Sequence, residues 1–176
     1  MKTVILSYSY TGNNARLAES IAQQLQIPHL PIIPQKNVSM KTIVLDVLFN
    51  RTPKVHPVPS VLKDYDLVIM AAPIWMGLIA SPLRSYFKYL KSGKQDYAFL
   101  SVSGGSADSS IKIAKELRKR LTRDPLLILD QHIADLLDPA IEPTAQTTMA
   151  YKLSEEDLVL FRDRSLSELT KIVKPD

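Results

Sequence analysis

Cysteine is absent from the 176 residues of this chain, which removes disulfides, thiolate nucleophiles, iron–sulfur clusters and cysteine-bound zinc. Histidine is scarce: His29, His56 and His132 lie far apart with no carboxylate at metal-ligand spacing, so no metal site is expected. No apolar run approaches the length of a membrane span, and the short one at Val4-Ile5-Leu6 is far too brief for a secretory signal. A cytoplasmic protein is therefore expected. No Gly-x-Ser-x-Gly nucleophile turn occurs, no Gly-Lys-Ser/Thr closes a nucleotide loop, and nothing suggests binding to nucleic acid. Tryptophan occurs once, at Trp75.

What remains has the balance of one folded domain over residues 1–176: 45% hydrophobic and 23% charged residues, with no internal repeat. The net charge of +4 fits either simple solubility or a preference for acidic partners. Apolar strand-like runs at Val4-Ile5-Leu6, Leu67–Ala72, Tyr97–Val102 and Leu126–Asp130 alternate with helical patterns, and Pro28–Pro34 reads as an extended edge piece. Helices are expected from Ala15 to Leu25, over Met40–Asn50, Leu83–Lys91 and Ser109–Leu121, and from Ser154 onward. There Ser-Glu-Glu-Asp resembles a capping box, and Leu158, Phe161, Leu166, Leu169 and Ile172 form an apolar stripe. Residues 52–60 read as a proline-rich connector and 131–152 as irregular. Such alternation predicts an α/β domain, a parallel sheet with helices on both faces.

The polar segments between these elements are few. Ser9, Tyr10, Thr11, Gly12, Asn13 and Asn14 separate the first strand from the first helix. Successive backbone N–H groups and the helix dipole can hold a phosphate there, and Ser9, Thr11, Asn13 and Asn14 add side-chain donors. The loop carries no Lys or Arg, so it suits a monophosphate held by neutral groups. The same residue types also make ordinary helix caps, and composition alone leaves both readings open.

Tyr8-Ser9-Tyr10-Thr11-Gly12-Asn13-Asn14 resembles the FMN-phosphate loop of the flavodoxin family, a Ser-x-Thr-Gly-Asn-Thr pattern after the first strand, with Asn14 where Thr is usual. Ala72-Pro73-Ile74-Trp75-Met76-Gly77, continuing to Pro82, resembles a second signature of that family. The resemblance covers most of residues 2–130. It implies a single doubly wound, five-stranded parallel sheet of flavodoxin-like strand order 2-1-3-4-5. FMN would lie where loops 8–14, 73–82 and 103–108 converge beyond the strand ends. The cofactor contacts implied are Ser9 to Asn14, then Pro73, Ile74, Trp75, Met76 and Gly77, and finally Ser103, Gly104 and Gly105.

Each of these residues has a plainer reading as well. Trp75 would cover the flavin, or it anchors a loop on the core. Gly77 would let a peptide turn its carbonyl toward flavin N5, or it forms a turn. In the loop Ser103-Gly104-Gly105-Ser106, Ser103, Gly104 and Gly105 would offer backbone donors to the pyrimidine end, although Gly and Ser punctuate many turns. This loop lacks the aromatic residue that covers the outer flavin face in many flavodoxins, leaving room for a substrate or partner.

The flavin would do the chemistry, so no side chain is nominated as catalytic. The implied function is a redox protein passing electrons to a partner protein or a small-molecule acceptor. The missing aromatic and the basic charge keep open an FMN-dependent NAD(P)H:quinone-type reductase. A cofactor-free scaffold is a third alternative, against which the intact first loop argues. Lys112, Lys115, Lys119 and Arg123 form a basic helix side, either solvated or docking an acidic partner.

Overall fold

Apolar runs become the parallel strands β1 (Thr3–Ser7), β2 (His29–Pro31), β3 (Leu67–Ala71), β4 (Asp96–Ser103) and β5 (Leu127–His132), in a computed structural model describing residues 1–105 and 108–173. They form one five-stranded sheet in the order β2-β1-β3-β4-β5. Val4 sits opposite Val68, Met70 opposite Phe99 and Leu100 opposite Leu129. This is the doubly wound, flavodoxin-like topology that the alternation and the resemblance predict. Pro31, which has no N–H for a ladder, falls on the edge strand β2.

Successive strand residues point to opposite faces, and both faces are covered, so the strands have no polar side. Val4, Leu6, Val68, Met70 and Phe99 pack with Leu83, Tyr86, Ile113 and Leu117 from α3 (Arg84–Ser92), its preceding turn and α4 (Ser109–Leu121). Ile5, Ile69 and Leu100 pack on the other face with Leu17, Ile21, Phe161 and Leu169 from α1 (Asn13–Leu25) and a C-terminal helix, Glu155–Leu169. That helix starts as expected, with Ser154 and Asp157 exchanging the two hydrogen bonds of a capping box.

Some segments differ from expectation. The connector at 52–60 is not wholly irregular, because Val55–His56 pairs antiparallel with Ile33–Pro34 beyond the sheet edge. The helix expected from Leu83 is preceded by a 3-10 turn, Ser81–Leu83. The stretch 131–152 is more ordered than its composition suggests. β5 runs on to His132, Ile133–Leu136 forms a 3-10 turn, and Ala145–Ala150 is a helix capped by Thr144 and Thr147. With α2 at Met40–Leu48, that short helix is α5 and the C-terminal one α6.

Candidate functional site

Strands β1 and β3 lie side by side, yet the chain leaves β1 toward α1 on one face and β3 toward α3 on the other. A crevice must open between their C-terminal ends.

The first loop enters it in a bent form. Ser9 Oγ accepts the Gly12 N–H at 2.9 Å, and Gly12 takes φ +99, where a side chain would be strained. Gly12 is the N-cap of α1, and no side chain caps that helix. By contrast α2, α5 and α6 each carry a complete capping box. No acidic residue occupies the first turn of α1, so its free N–H groups keep their capacity for an anion.

Asn13 and Asn14 correct the sequence reading. Their side chains, expected to face a phosphate, are buried at 1% and 2% exposure and spent elsewhere. Asn14 Nδ2 donates to the Val102 carbonyl and Asn14 Oδ1 accepts the Val102 N–H, which locks α1 to the end of β4. Asn13 Nδ2 donates to the Tyr151 carbonyl, and Asn13 Oδ1 accepts the Leu153 N–H. Only the backbone N–H groups of these residues remain for a ligand.

The second loop is a hairpin. Ile74–Trp75 pairs with Leu78–Ile79, and the two turn residues Met76 and Gly77 take φ 51 and 78. Positive φ at both positions is what a right-twisted two-residue hairpin requires. The Trp75 ring stands edge-on to Tyr8 at 5.5 Å and to Tyr10 at 6.3 Å. Trp75 is thus packed as well as facing the crevice. Burial, then Tyr10, then the Asp46 carboxylate push the Tyr8 hydroxyl up to about 12, so it stays neutral. Buried Glu116 on α4 braces the hairpin, accepting the Ile79 N–H at 2.6 Å while pairing with Arg120 at 2.7 Å.

The third loop leaves β4 through Ser103, whose Oγ accepts the Gly105 N–H at 3.3 Å. A Cβ on Gly104 would come within 2.9 Å of Thr148 Oγ1, so glycine here lets α5 close against the loop. Ser106, also in the expected loop, lies outside the described residues. Ser109 Oγ and Asp130 Oδ2 lie 3.1 and 3.0 Å from one and the same atom, His132 Nε2. A nucleophilic relay needs the two partners on different ring nitrogens, so this cluster is not one.

These loops border one cleft of about 390 Å³. Tyr10, Thr11, Pro73, Ile74, Trp75, Met76, Gly77, Ser103, Gly104 and Gly105 all line it, whereas Ser9, Gly12, Asn13 and Asn14 do not. Its remaining wall was not foreseen: Ile43 and Val44 of α2, Ser109, Ile133, and Pro143, Thr144, Ala145, Thr148 and Met149 around α5. The one usable signal for α5 was the Thr144/Thr147 pair. Arg123, expected on the basic side of this helix, falls beyond the end of α4 and is half-buried: it donates to the Leu90 carbonyl and lies over the Tyr97 ring. Among the described residues no group of three His, Asp or Glu could hold a metal ion, and no helix is long and apolar enough to cross a membrane.

No family model matches the chain, and no curated protein matches it in sequence. Solved structures do share its fold. A flavoprotein from Lactobacillus acidophilus, determined in complex with FMN, matches with a TM-score of 0.61 at 17% identity, over 73% of this chain and 92% of that one. Oxidised flavodoxin 1 from Bacillus cereus matches over 99% of this chain and 100% of its own, with a TM-score of 0.56 at 14% identity. A WrbA-like flavodoxin from Agrobacterium tumefaciens has a TM-score of 0.53 at 16% identity, covering 97% and 96%. The chain has the flavodoxin-like fold.

Proposed function

We propose that this chain binds FMN in the switch-point cleft and works as a flavodoxin-like electron-transfer protein. The observation that carries this reading is the convergence of the three loops on one cleft, at the place where this fold takes its ligands. The residues present fit the cofactor. The uncapped, acid-free start of α1 suits a phosphate, and the walls around Ile74, Trp75 and Val102 suit a flat apolar ring. Gly104, whose Cβ would strike Thr148, lets α5 close the cleft wall beside the third loop.

Bound FMN would supply one- and two-electron chemistry, and the chain would supply position and electrostatics. Thr11 and the N–H groups of α1 would hold the phosphate, Trp75 would shield the ring from water, and the Ser103–Gly105 backbone would bond its polar edge. The acceptor would be a redox partner protein or a small molecule.

The test is spectroscopic. Purified protein should show flavin absorbance near roughly 370 and 450 nm, and heating should release FMN rather than FAD or riboflavin. Protein that neither carries nor takes up FMN would overturn the reading. Rapid stoichiometric bleaching by NADPH or NADH would replace the carrier role with a reductase.

A further inference from the structure

The loop between β1 and α1 contains no cation, but the fold delivers one. Lys152 stands 141 residues away in sequence, and its Nζ donates to the Thr11 carbonyl. Its position is fixed from both sides. Asn13 takes hold of the residues flanking it, donating to the Tyr151 carbonyl at 2.9 Å and accepting the Leu153 N–H at 3.2 Å. Arg16, one turn further along α1, donates to the Leu153 carbonyl and pairs with Glu155. The connection 151–154, extended at Tyr151 and Ser154, is therefore strapped along the start of α1 before α6 begins at Glu155, with Lys152 at the level of Thr11.

Thr11 lines the cleft and Lys152 does not, so the ammonium, held on the Thr11 carbonyl, stands beside the first-loop end of the cleft rather than inside it. Arg16 is already neutralised by Glu155, whereas among the described residues Lys152 has only a carbonyl as its partner. One of its three N–H donors is used there and two remain. We infer that Lys152 is the countercharge of the FMN phosphate and makes the site prefer phosphorylated flavin; this rests on the FMN reading above. An ammonium beside a phosphate adds charge-assisted hydrogen bonds to those of the neutral loop. Because Lys152 is exposed, salt should weaken the gain.

The test titrates FMN and riboflavin into apoprotein, following quenching of flavin fluorescence at low and high salt, for wild type, Lys152→Met and Lys152→Arg. Lys152→Met should bind FMN about five- to tenfold more weakly at low salt, with a flatter salt dependence, while its riboflavin affinity stays unchanged. Lys152→Arg should keep most of the preference for FMN. Equal FMN affinity in wild type and Lys152→Met overturns the inference. So does an equal loss for riboflavin, which would make the strap a structural element alone. Wild type that binds neither flavin would sink the FMN reading itself, an outcome separate from both.

Discussion

Asn14 holds both backbone groups of Val102, donating to its carbonyl and accepting from its N–H at 2.9 Å each. One amide thereby does for the end of β4 what a further strand would do, and it fixes the distance between the first and third loops of the cleft. Asn14→Ala would leave a buried donor and a buried acceptor without partners, a loss of about 2–4 kcal/mol. Urea denaturation of the two proteins should show it. A difference below about 0.5 kcal/mol would mean that water or a shifted backbone replaces the amide.

Trp75 is the only tryptophan, so all indole emission comes from the cleft. Adding FMN should quench that emission, and Trp75→Ala should weaken FMN by about 1–2 kcal/mol through lost ring contact. Trp75→Phe should recover much of the loss. If Trp75→Ala binds FMN as well as wild type, the indole serves only to hold Tyr8 and Tyr10.

A Cβ placed on Gly77 would meet nothing within 4 Å, so substitution there strains only the backbone at φ +78. Gly77→Ala should cost about 1 kcal/mol of stability, and Gly77→Asn less, because asparagine tolerates positive φ. Urea denaturation of the three proteins checks this order, and equal stability of all three would mean that the turn relaxes out of positive φ.

Burial raises the hydroxyls of Tyr8, Tyr86 and Tyr97 from 10.0 to about 12. Folding thus favours their neutral form. The stability this contributes is complete below pH 10 and is lost as pH climbs toward 12. Tyrosinate absorbance should therefore show these three tyrosines ionising late and together with loss of far-ultraviolet dichroism. Ionisation of all seven near pH 10 in protein that remains folded would contradict this.

The sheet was legible because Leu67–Ala72 is an unbroken apolar run and Tyr97–Val102 is interrupted only by Ser101, the pattern of strands covered on both faces. The loops of the cleft were legible because few other segments are polar. The direction of a side chain was not. Asn13 and Asn14 are donors in any reading, but what they bind lies 138 and 88 residues away and depends on the finished fold. Helix α5 was hidden for another reason: Ala-Gln-Thr-Thr-Met-Ala has no apolar stripe, and its cap uses Thr147 where Glu or Gln is the usual mark. Lys152 carries no signal in the sequence, because nothing local ties it to Thr11.

The strap that carries Lys152 also sets an order of assembly. On a ribosome the N-terminal parts of a domain emerge and begin to fold first. Here β1, its loop and the Trp75 hairpin precede α5 and the strap by a long stretch of chain. Until residues 143–155 arrive, the cleft has its floor but lacks one wall, and Asn13 has no partner for its amide. A nascent chain therefore completes the walls of the cleft late, just before α6 arrives to cover the sheet.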